Sequence, residues 1–167
     1  MSVLVAYGTK HGSTREVAEA VASTLNERGK TTEVRSAGHV DTVAPYEAVV
    51  IGGSIYMGRW HPEAQRFVKR CHAELAQRPV AVFAMGPRTM AEDDVAGSRR
   101  QLDHALASIT DVEPITTAIF GGVVDPKNLH FPLNRLPATD ARDWDAIREW
   151  AIEVATRIDT DRVGATV

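Results

Sequence analysis

Cysteine is almost absent from this 167-residue sequence, since Cys71 is the only one. A single cysteine excludes a disulfide framework and a cysteine-rich metal site. Cys71 lies on an apolar stripe with Phe67, Val68 and Leu75, so we interpret it as a small core residue, with a reactive thiol as the alternative. The six histidines show no spacing typical of metal ligands. We therefore expect no metal site.

Long apolar runs and a strong charge of one sign are also missing. No stretch approaches the roughly 20 apolar residues that a membrane-spanning helix needs. The N terminus has neither a basic segment nor a small-residue cleavage site, so we expect a cytoplasmic protein without an integral membrane segment. The 19 basic and 22 acidic residues give a formal net charge of −3. Because no basic stripe is interleaved with aromatic residues, we expect no nucleic-acid partner.

Short apolar segments alternate with longer amphipathic ones along the chain. Five strands are predicted, at residues 3–7, 31–35, 48–51, 80–85 and 115–120. Four helices are predicted, at about residues 13–28, 62–77, 93–108 and 143–158. This alternation predicts an α/β fold in three layers, a five-stranded parallel sheet with helices on both faces. We expect one domain over residues 1–162, with a frayed tail over 163–167.

The loop between the first strand and the first helix has the composition of a phosphate site. A helix start offers unpaired N–H groups and the positive end of its dipole, hydroxyls add donors, and glycine allows close approach of the backbone. The loop residues are Thr9, Lys10, His11, Gly12, Ser13 and Thr14. The alternative is an ordinary capped helix, since Ser13 and Glu16 have capping-box spacing. The loop lacks the Gly-Lys-Ser/Thr ending of a triphosphate-binding P-loop. It also lacks the G-x-G-x-x-G motif of a dinucleotide-binding loop.

Two loops resemble those of a known superfamily. The pattern T-x-x-G-x-T at residues 9–14 resembles the phosphate loop of flavodoxins, and residues 52–61, which read GGSIYMGRWH, resemble their flavin-ring loop. More narrowly, residues 52–61 and the helix segment Phe67-Val68-Lys69 resemble the menaquinone-dependent protoporphyrinogen IX dehydrogenases. The resemblance covers nearly the whole chain. It implies a flavodoxin-like fold with strand order 2-1-3-4-5 and FMN as cofactor, with a deazaflavin as a related alternative.

The resemblance implies that the flavin ring lies at the carboxyl ends of the strands, where open α/β sheets have their ligand crevice. The residues it implies at the ring are Ser54, Ile55, Tyr56, Met57, Gly58, Gly86, Pro87 and Arg88. Tyr56 and Trp60 are the aromatic residues that could stack on the ring. The alternatives are a half-buried core position for Tyr56 and a staple over the next helix for Trp60. For His61, just before Pro62, we favour a role as the cap of its helix, with a role in proton transfer as the alternative.

Because a flavin does the redox chemistry itself, we identify no catalytic side chain. The resemblance implies an oxidoreductase that passes electrons from a reduced organic substrate to a quinone-type acceptor. The long insertion of that family is reduced here to a short piece, residues 125–135, inside the unassigned segment 123–142. The alternative is a flavodoxin-type electron carrier without its own substrate. A phosphorylated receiver domain is excluded, because the carboxylates it needs after the first and third strands are missing.

Overall fold

The computed structural model describes residues 1–87, 89–109 and 111–164. Five strands form one parallel sheet: β1 (Ser2–Gly8), β2 (Thr31–Ser36), β3 (Ala48–Tyr56), β5 (Val80–Met85) and β6 (Thr116–Phe120). Their order is β2-β1-β3-β5-β6, with the two-residue strand β4 (Arg59–Trp60) antiparallel to β3. This confirms the predicted order of five parallel strands.

Helices cover both faces of this sheet, as the alternation predicts. They are α1 (Ser13–Glu27), α2 (Pro62–Arg70), α3 (His72–Leu75), α4 (Glu92–Ile109) and α5 (Trp144–Gly164). The helix predicted over residues 62–77 is in fact interrupted at Cys71, which divides α2 from α3. Helix α5 reaches Gly164, two residues past the predicted domain boundary, and residues 165–167 lie outside the described part of the chain.

Two apolar cores lie on opposite faces of the sheet. One packs α1 and α5 against the sheet and contains the aromatic cluster of Phe83, Phe120 and Trp150, whose ring centroids are 5.7–5.8 Å apart. The other packs α2 and α4 against the opposite face and includes Cys71. Burial raises the pKa of the Cys71 thiol. The interpretation of Cys71 as a core residue therefore holds, because a raised pKa disfavours the nucleophilic thiolate.

The segment 123–142, to which the sequence patterns assign no element, has structure of its own. It contains a small antiparallel pair, β7 (Val123–Val124) and β8 (Thr139–Asp140), with two 3-10 helices at Pro126–Asn128 and Leu133–Arg135 between them. Between these short helices, Phe131 is 70% exposed. The segment returns to the main sheet through the Ala141 N–H, which donates to the Gly122 carbonyl at 3.0 Å.

Candidate functional site

Three loops meet at one edge of the main sheet because the strands that precede them are in register. In the parallel ladders, Gly8 is aligned with Gly53, and Gly53 is aligned with Ala84. The loops that follow β1, β3 and β5 therefore leave the sheet side by side. This edge is the carboxyl end of the parallel strands, where open α/β sheets bind ligands.

Close packing at this edge explains the double glycine near the end of β3. A Cβ added at Gly52 would lie 2.1 Å from the Phe83 ring, and one added at Gly53 would lie 2.6 Å from the Trp60 indole nitrogen. Neither distance leaves room for a side chain. Phe83 and Trp60, both fully buried, therefore pack directly against the backbone of β3.

The first loop exposes the beginning of α1. Gly12 has a φ of 91°, in the left-handed region that favours glycine, and it forms the N-cap without a side-chain hydrogen bond to the helix. The predicted capping box of Ser13 and Glu16 is therefore wrong. The Gly12 N–H donates to the Thr9 hydroxyl oxygen at 3.0 Å, which holds the loop and leaves the Thr9 hydroxyl proton free to donate. The amides of the first helical turn point toward this loop.

Thr14 is the most unusual residue of this loop. Its side chain is fully buried, yet its hydroxyl oxygen has no hydrogen-bond partner among the described residues. A buried hydroxyl without a partner costs about 1–3 kcal/mol. Only one other buried side-chain hydroxyl in the described ranges, that of Thr139, shares this condition. An acceptor supplied from outside the chain would satisfy the Thr14 hydroxyl at the start of α1.

The second loop is a tight hairpin. Tyr56 pairs with Arg59 across the β3–β4 ladder, so Met57 and Gly58 form a two-residue turn. Both have positive φ, 51° and 76°, as a type I′ hairpin turn requires. A methionine rarely adopts this conformation, and such backbone strain often marks a functional segment. The Met57 side chain is also 77% exposed.

The two aromatic candidates of the second loop lie in different environments. Tyr56 is 50% exposed, and the Lys10 ammonium lies 5.9 Å from its ring centroid, which brings the first and second loops together. Trp60 is fully buried and donates its indole N–H to the Gly53 carbonyl at 3.2 Å. Tyr56 is therefore accessible to a ligand, while Trp60 belongs to the core. Sequence patterns do not show which of Tyr56 and Trp60 is buried. The strand β4, in which Trp60 is buried, has only two residues and is too short to show a hydrophobic alternation.

His61 caps α2, as expected. Its Nδ1 accepts the N–H of Glu63 at 3.2 Å, and Pro62 occupies the first helical turn. Burial lowers the pKa of His61. The imidazole is therefore held in the neutral form that this cap requires, because a protonated Nδ1 cannot accept a hydrogen bond.

The third loop is fixed by the strand beside it. The Gly86 N–H donates to the Phe120 carbonyl at 3.0 Å, and the Gly122 N–H donates to the Pro87 carbonyl at 2.8 Å. Gly86 and Pro87 therefore stand next to the end of β6. Arg88, also predicted as a cofactor contact, lies outside the described residues. In the next helix, Ser98 packs so closely against Gly86 that a Cβ at that glycine would lie 2.7 Å from the Ser98 hydroxyl oxygen.

The remaining predicted residues lie around these loops. Lys10 and His11 are exposed, whereas Thr9, Ser13, Ser54 and Ile55 are partly buried.

An arginine that the sequence patterns do not identify closes one side of the first loop. Arg142 is largely buried and pairs with Asp140 at 2.8 Å and with Glu16 on α1 at 2.5 Å. The hydrogen bonds from Arg142 lower the pKa of the Asp140 carboxyl. The Glu16 carboxylate that a capping box would use is thus engaged by Arg142. This pairing also links the end of the segment 123–142 to the first turn of α1, next to the first loop.

Metal and membrane features are not found in the described ranges. Residues 1–87, 89–109 and 111–164 hold no group of three or more histidine, cysteine, aspartate or glutamate side chains suited to a metal ion. None of their helices has the length and hydropathy of a bilayer span.

The sequence matches the model of the flavodoxin domain over residues 4–135. This match covers more than half of the chain. The chain belongs to the flavodoxin domain family. Flavodoxin domains bind FMN, so FMN is the cofactor that family membership assigns to this chain.

Solved flavodoxins share the fold of this domain. A cysteine mutant of flavodoxin from Pseudomonas aeruginosa superposes with a TM-score of 0.64 at 17% identity, covering 95% of this chain and 99% of that one. Flavodoxin from Streptococcus pneumonia TIGR4 gives 0.62 at 15% identity, covering 96% and 99%. At these identities the likeness concerns the fold alone.

A curated relative is similar in sequence over part of its length. Protoporphyrinogen IX dehydrogenase [quinone] of Escherichia coli K12 is 34% identical over 87 residues, which are 51% of this chain and 48% of that protein. The chain thus spans about half the length of the curated relatives it matches.

The geometry of the first loop fits the phosphate end of FMN. A phosphate monoester presents several acceptor oxygens and no apolar surface, which suits the uncapped start of α1. The Thr14 hydroxyl is a donor in a position where the described residues offer it no acceptor. The positive φ of Gly12 and the open space around its Cα keep side-chain bulk away from the loop.

Proposed function

We propose that the chain binds FMN between residues 9–14, 54–58 and 86–88 and uses it as an oxidoreductase. In this proposal, electrons pass from a reduced organic substrate to a quinone-type acceptor. The observation that carries the binding mode is the Thr14 hydroxyl at the uncapped start of α1, which is fully buried and has no hydrogen-bond partner in the described part of the chain. The sequence similarity to a quinone-dependent dehydrogenase supports the type of reaction.

The phosphate end of the cofactor is assigned to Thr9, Ser13 and Thr14 with the first-turn amides of α1. Thr9 keeps its hydroxyl proton for an external acceptor, since its oxygen already accepts the Gly12 N–H. Lys10 is exposed beside the loop and adds a positive charge within reach of a dianion. These groups bind and orient the cofactor. Gly12 leaves space for the phosphate, because it has no side chain.

The ring end is assigned to the hairpin turn and to the loop after β5. Tyr56 is exposed enough to contact a flat ring, and an aromatic contact adds about 0.5–1.5 kcal/mol beyond burial. The Met57–Gly58 peptide lies in a turn where both residues have positive φ, so its orientation is not fixed by a regular ladder. The bound flavin supplies the hydride or electron transfer, and the protein positions it.

The absence of an aromatic residue in the described part of the loop after β5, residues 86–87 and 89–91, favours an enzyme over a pure carrier. A small organic substrate needs access to one face of the flavin, and an aromatic residue there would cover that face. The electron-carrier function remains the second candidate, since the solved neighbours named above are flavodoxins. Location in the cytoplasm stays a prediction from the sequence.

The test is to purify the full chain, record its visible spectrum and titrate it with FMN. We expect one FMN per chain, with the yellow absorption of a bound flavin. After photoreduction, rapid reoxidation by a naphthoquinone supports the oxidoreductase, whereas a long-lived one-electron-reduced flavin that quinones do not reoxidise supports the carrier. Failure to bind FMN contradicts both.

A further inference from the structure

A groove with a mainly apolar floor lies between α2, β4 and α4, beside the hairpin turn. Its volume is about 350 Å³, within the range of small-molecule sites. Gly58 and Arg59 line it from the hairpin, Lys69 lines it from α2, and Ser108 lines it from α4. The groove is separate from the phosphate loop, and the proposed binding of FMN assigns no role to α2 or α4.

The charge of the groove is positive. Arg59, Arg66 and Lys69 line it, and all three are exposed. Within the described ranges none of the three forms an ion pair, and no carboxylate is among the lining residues. The whole chain has a net charge of −3, so this cluster is a local positive field on an acidic protein.

The neighbouring Arg70 shows what a structural cation on α2 does. Its guanidinium donates to the carbonyls of Ala37 at 2.9 Å and Val40 at 2.7 Å. Arg66 and Lys69 make no comparable contact among the described residues, and they face the groove. Cations near a helix C terminus are favourable in themselves, but this preference does not explain why three unpaired cations converge on one concavity.

Neutral donors and an apolar surface complete the groove. Gln65 is fixed by its side-chain amide, which donates to the Trp60 carbonyl at 2.6 Å. The Gln101 amide lies beside Gly58, where an added Cβ would be 3.7 Å from it. Pro62 and Ala105 contribute apolar surface. A cationic rim with amide groups and apolar walls suits a planar organic anion better than a hydrated inorganic ion.

The groove joins the proposed ring site through the hairpin turn. Gly58 belongs to the turn assigned to the flavin ring, and Gly58 and Arg59 also line the groove. A molecule whose acidic groups lie among Arg59, Arg66 and Lys69 would therefore reach the ring loop with its other end. A concave volume of this size favours a small molecule over a flat protein surface.

We propose that this groove binds the anionic groups of the electron acceptor, a quinonoid molecule bearing carboxylate or sulfonate substituents. The inference rests on the proposed function and adds the chemical class of the acceptor. The groove would select acidic over neutral partners by holding their anionic groups while the redox-active ring faces the flavin.

The test compares two quinones of different charge. The FMN-loaded chain is photoreduced and mixed in a stopped-flow instrument with 1,4-naphthoquinone-2-sulfonate or with neutral 2-methyl-1,4-naphthoquinone. Each quinone accepts two electrons and two protons and leaves as the hydroquinone, while the flavin returns to its oxidised form. The variants are Arg66→Glu, Lys69→Glu and the double variant, with Arg66→Gln as a milder change. Arg28→Glu is the matched control, because it reverses the charge of an exposed residue at the C-terminal end of α1, which does not line the groove.

We expect the double variant to slow reoxidation by the sulfonate about tenfold at low salt and to leave the neutral quinone within about twofold of wild type. Arg28→Glu should leave the ratio of the two rates unchanged. High salt should remove the difference between wild type and variant, since the interaction is between exposed charges. Equal effects on both quinones, or no effect on either, would overturn the proposal.

A binding measurement separates this inference from the proposed function. Backbone amide signals of residues 58–69 and 101–108 are followed by NMR while the sulfonate is added to the chain. Saturable shifts in these residues, lost in the double variant, support the groove whether or not FMN binds. Absence of such shifts refutes the groove alone. Failure of the FMN titration, with the shifts intact, refutes the proposed function and leaves an anion site.

Discussion

Gly12 controls the shape of the loop over residues 9–14, the proposed phosphate site, through its own backbone. Its φ of 91° is one that other residues adopt only with strain, and, apart from its own chain neighbours, no heavy atom of the described residues lies within 4 Å of the position a Cβ would take. Gly29, which follows the other end of α1, has the same two properties, with a φ of 80°. The two glycines therefore share a positive φ and open surroundings. They differ in position, because Gly12 precedes α1 and Gly29 follows it.

We expect Gly12→Ala to destabilise the chain by about 1–2 kcal/mol, because alanine is strained in the left-handed region. It should also weaken FMN binding, since relief of that strain moves the amides of the loop. Gly29→Ala is the matched control and should cost similar stability without changing FMN affinity. Chemical denaturation and FMN fluorescence titration measure the two effects. Equal affinity of the two variants for FMN would contradict the position of the phosphate.

Among the elements, α2 is positioned by a cap that depends on pH. The neutral His61 Nδ1 accepts the Glu63 N–H, and burial lowers the pKa of His61. The unfolded chain therefore binds a proton on this histidine at a higher pH than the folded chain does. The stability that this cap contributes is present above the ordinary histidine pKa of 6.5 and is lost as pH falls through the lowered pKa.

The variant His61→Asn tests this cap. Asparagine is a good N-cap residue without a titratable group. We expect wild type to lose stability as pH falls below about 6.5, and His61→Asn to lose less over the same interval while matching wild type near pH 8. Urea denaturation at a series of pH values measures the difference. A wild-type slope in the variant would show that His61 is not responsible.

Contacts between distant elements explain where sequence patterns fail. The capping box at Ser13 and Glu16 has correct spacing, but the N-cap of α1 is Gly12, and Arg142, more than a hundred residues away, pairs with Glu16. The helix predicted over 62–77 is divided at Cys71, although the apolar stripe continues into α3. The spacing of residues in the sequence shows which local interactions a residue can form. Contacts with distant parts of the chain determine which of these interactions forms.

On the scale of the whole molecule, the alternation of strands and helices is sufficient to predict the architecture. Strands β1, β3 and β5 are apolar on both faces because helices cover both sides of the sheet, and this pattern is local and readable. The edge where the candidate site lies follows from the topology. Three features depend on contacts between distant segments, so no local sequence pattern predicts them. They are the partner of Glu16, the buried position of Trp60 and the basic groove.

The fold and the site are linked energetically, because a ligand that binds only the folded chain stabilises it. FMN should therefore raise the stability of the whole domain by an amount that grows with the logarithm of its affinity for the proposed phosphate site. A substitution in that loop can weaken this linkage without weakening the FMN-free fold. Thr14 offers such a substitution, since its hydroxyl contributes no hydrogen bond within the described chain.

The most direct test of the phosphate site is FMN titration of Thr14→Val beside wild type and Thr24→Val, a similar change at a buried threonine of the same helix. We expect Thr14→Val to weaken FMN binding by about 1–3 kcal/mol through the lost phosphate contact. The FMN-free variant should be at least as stable as wild type, and Thr24→Val should bind FMN normally. Unchanged FMN affinity in Thr14→Val would contradict the assignment of residues 9–14 as the phosphate site.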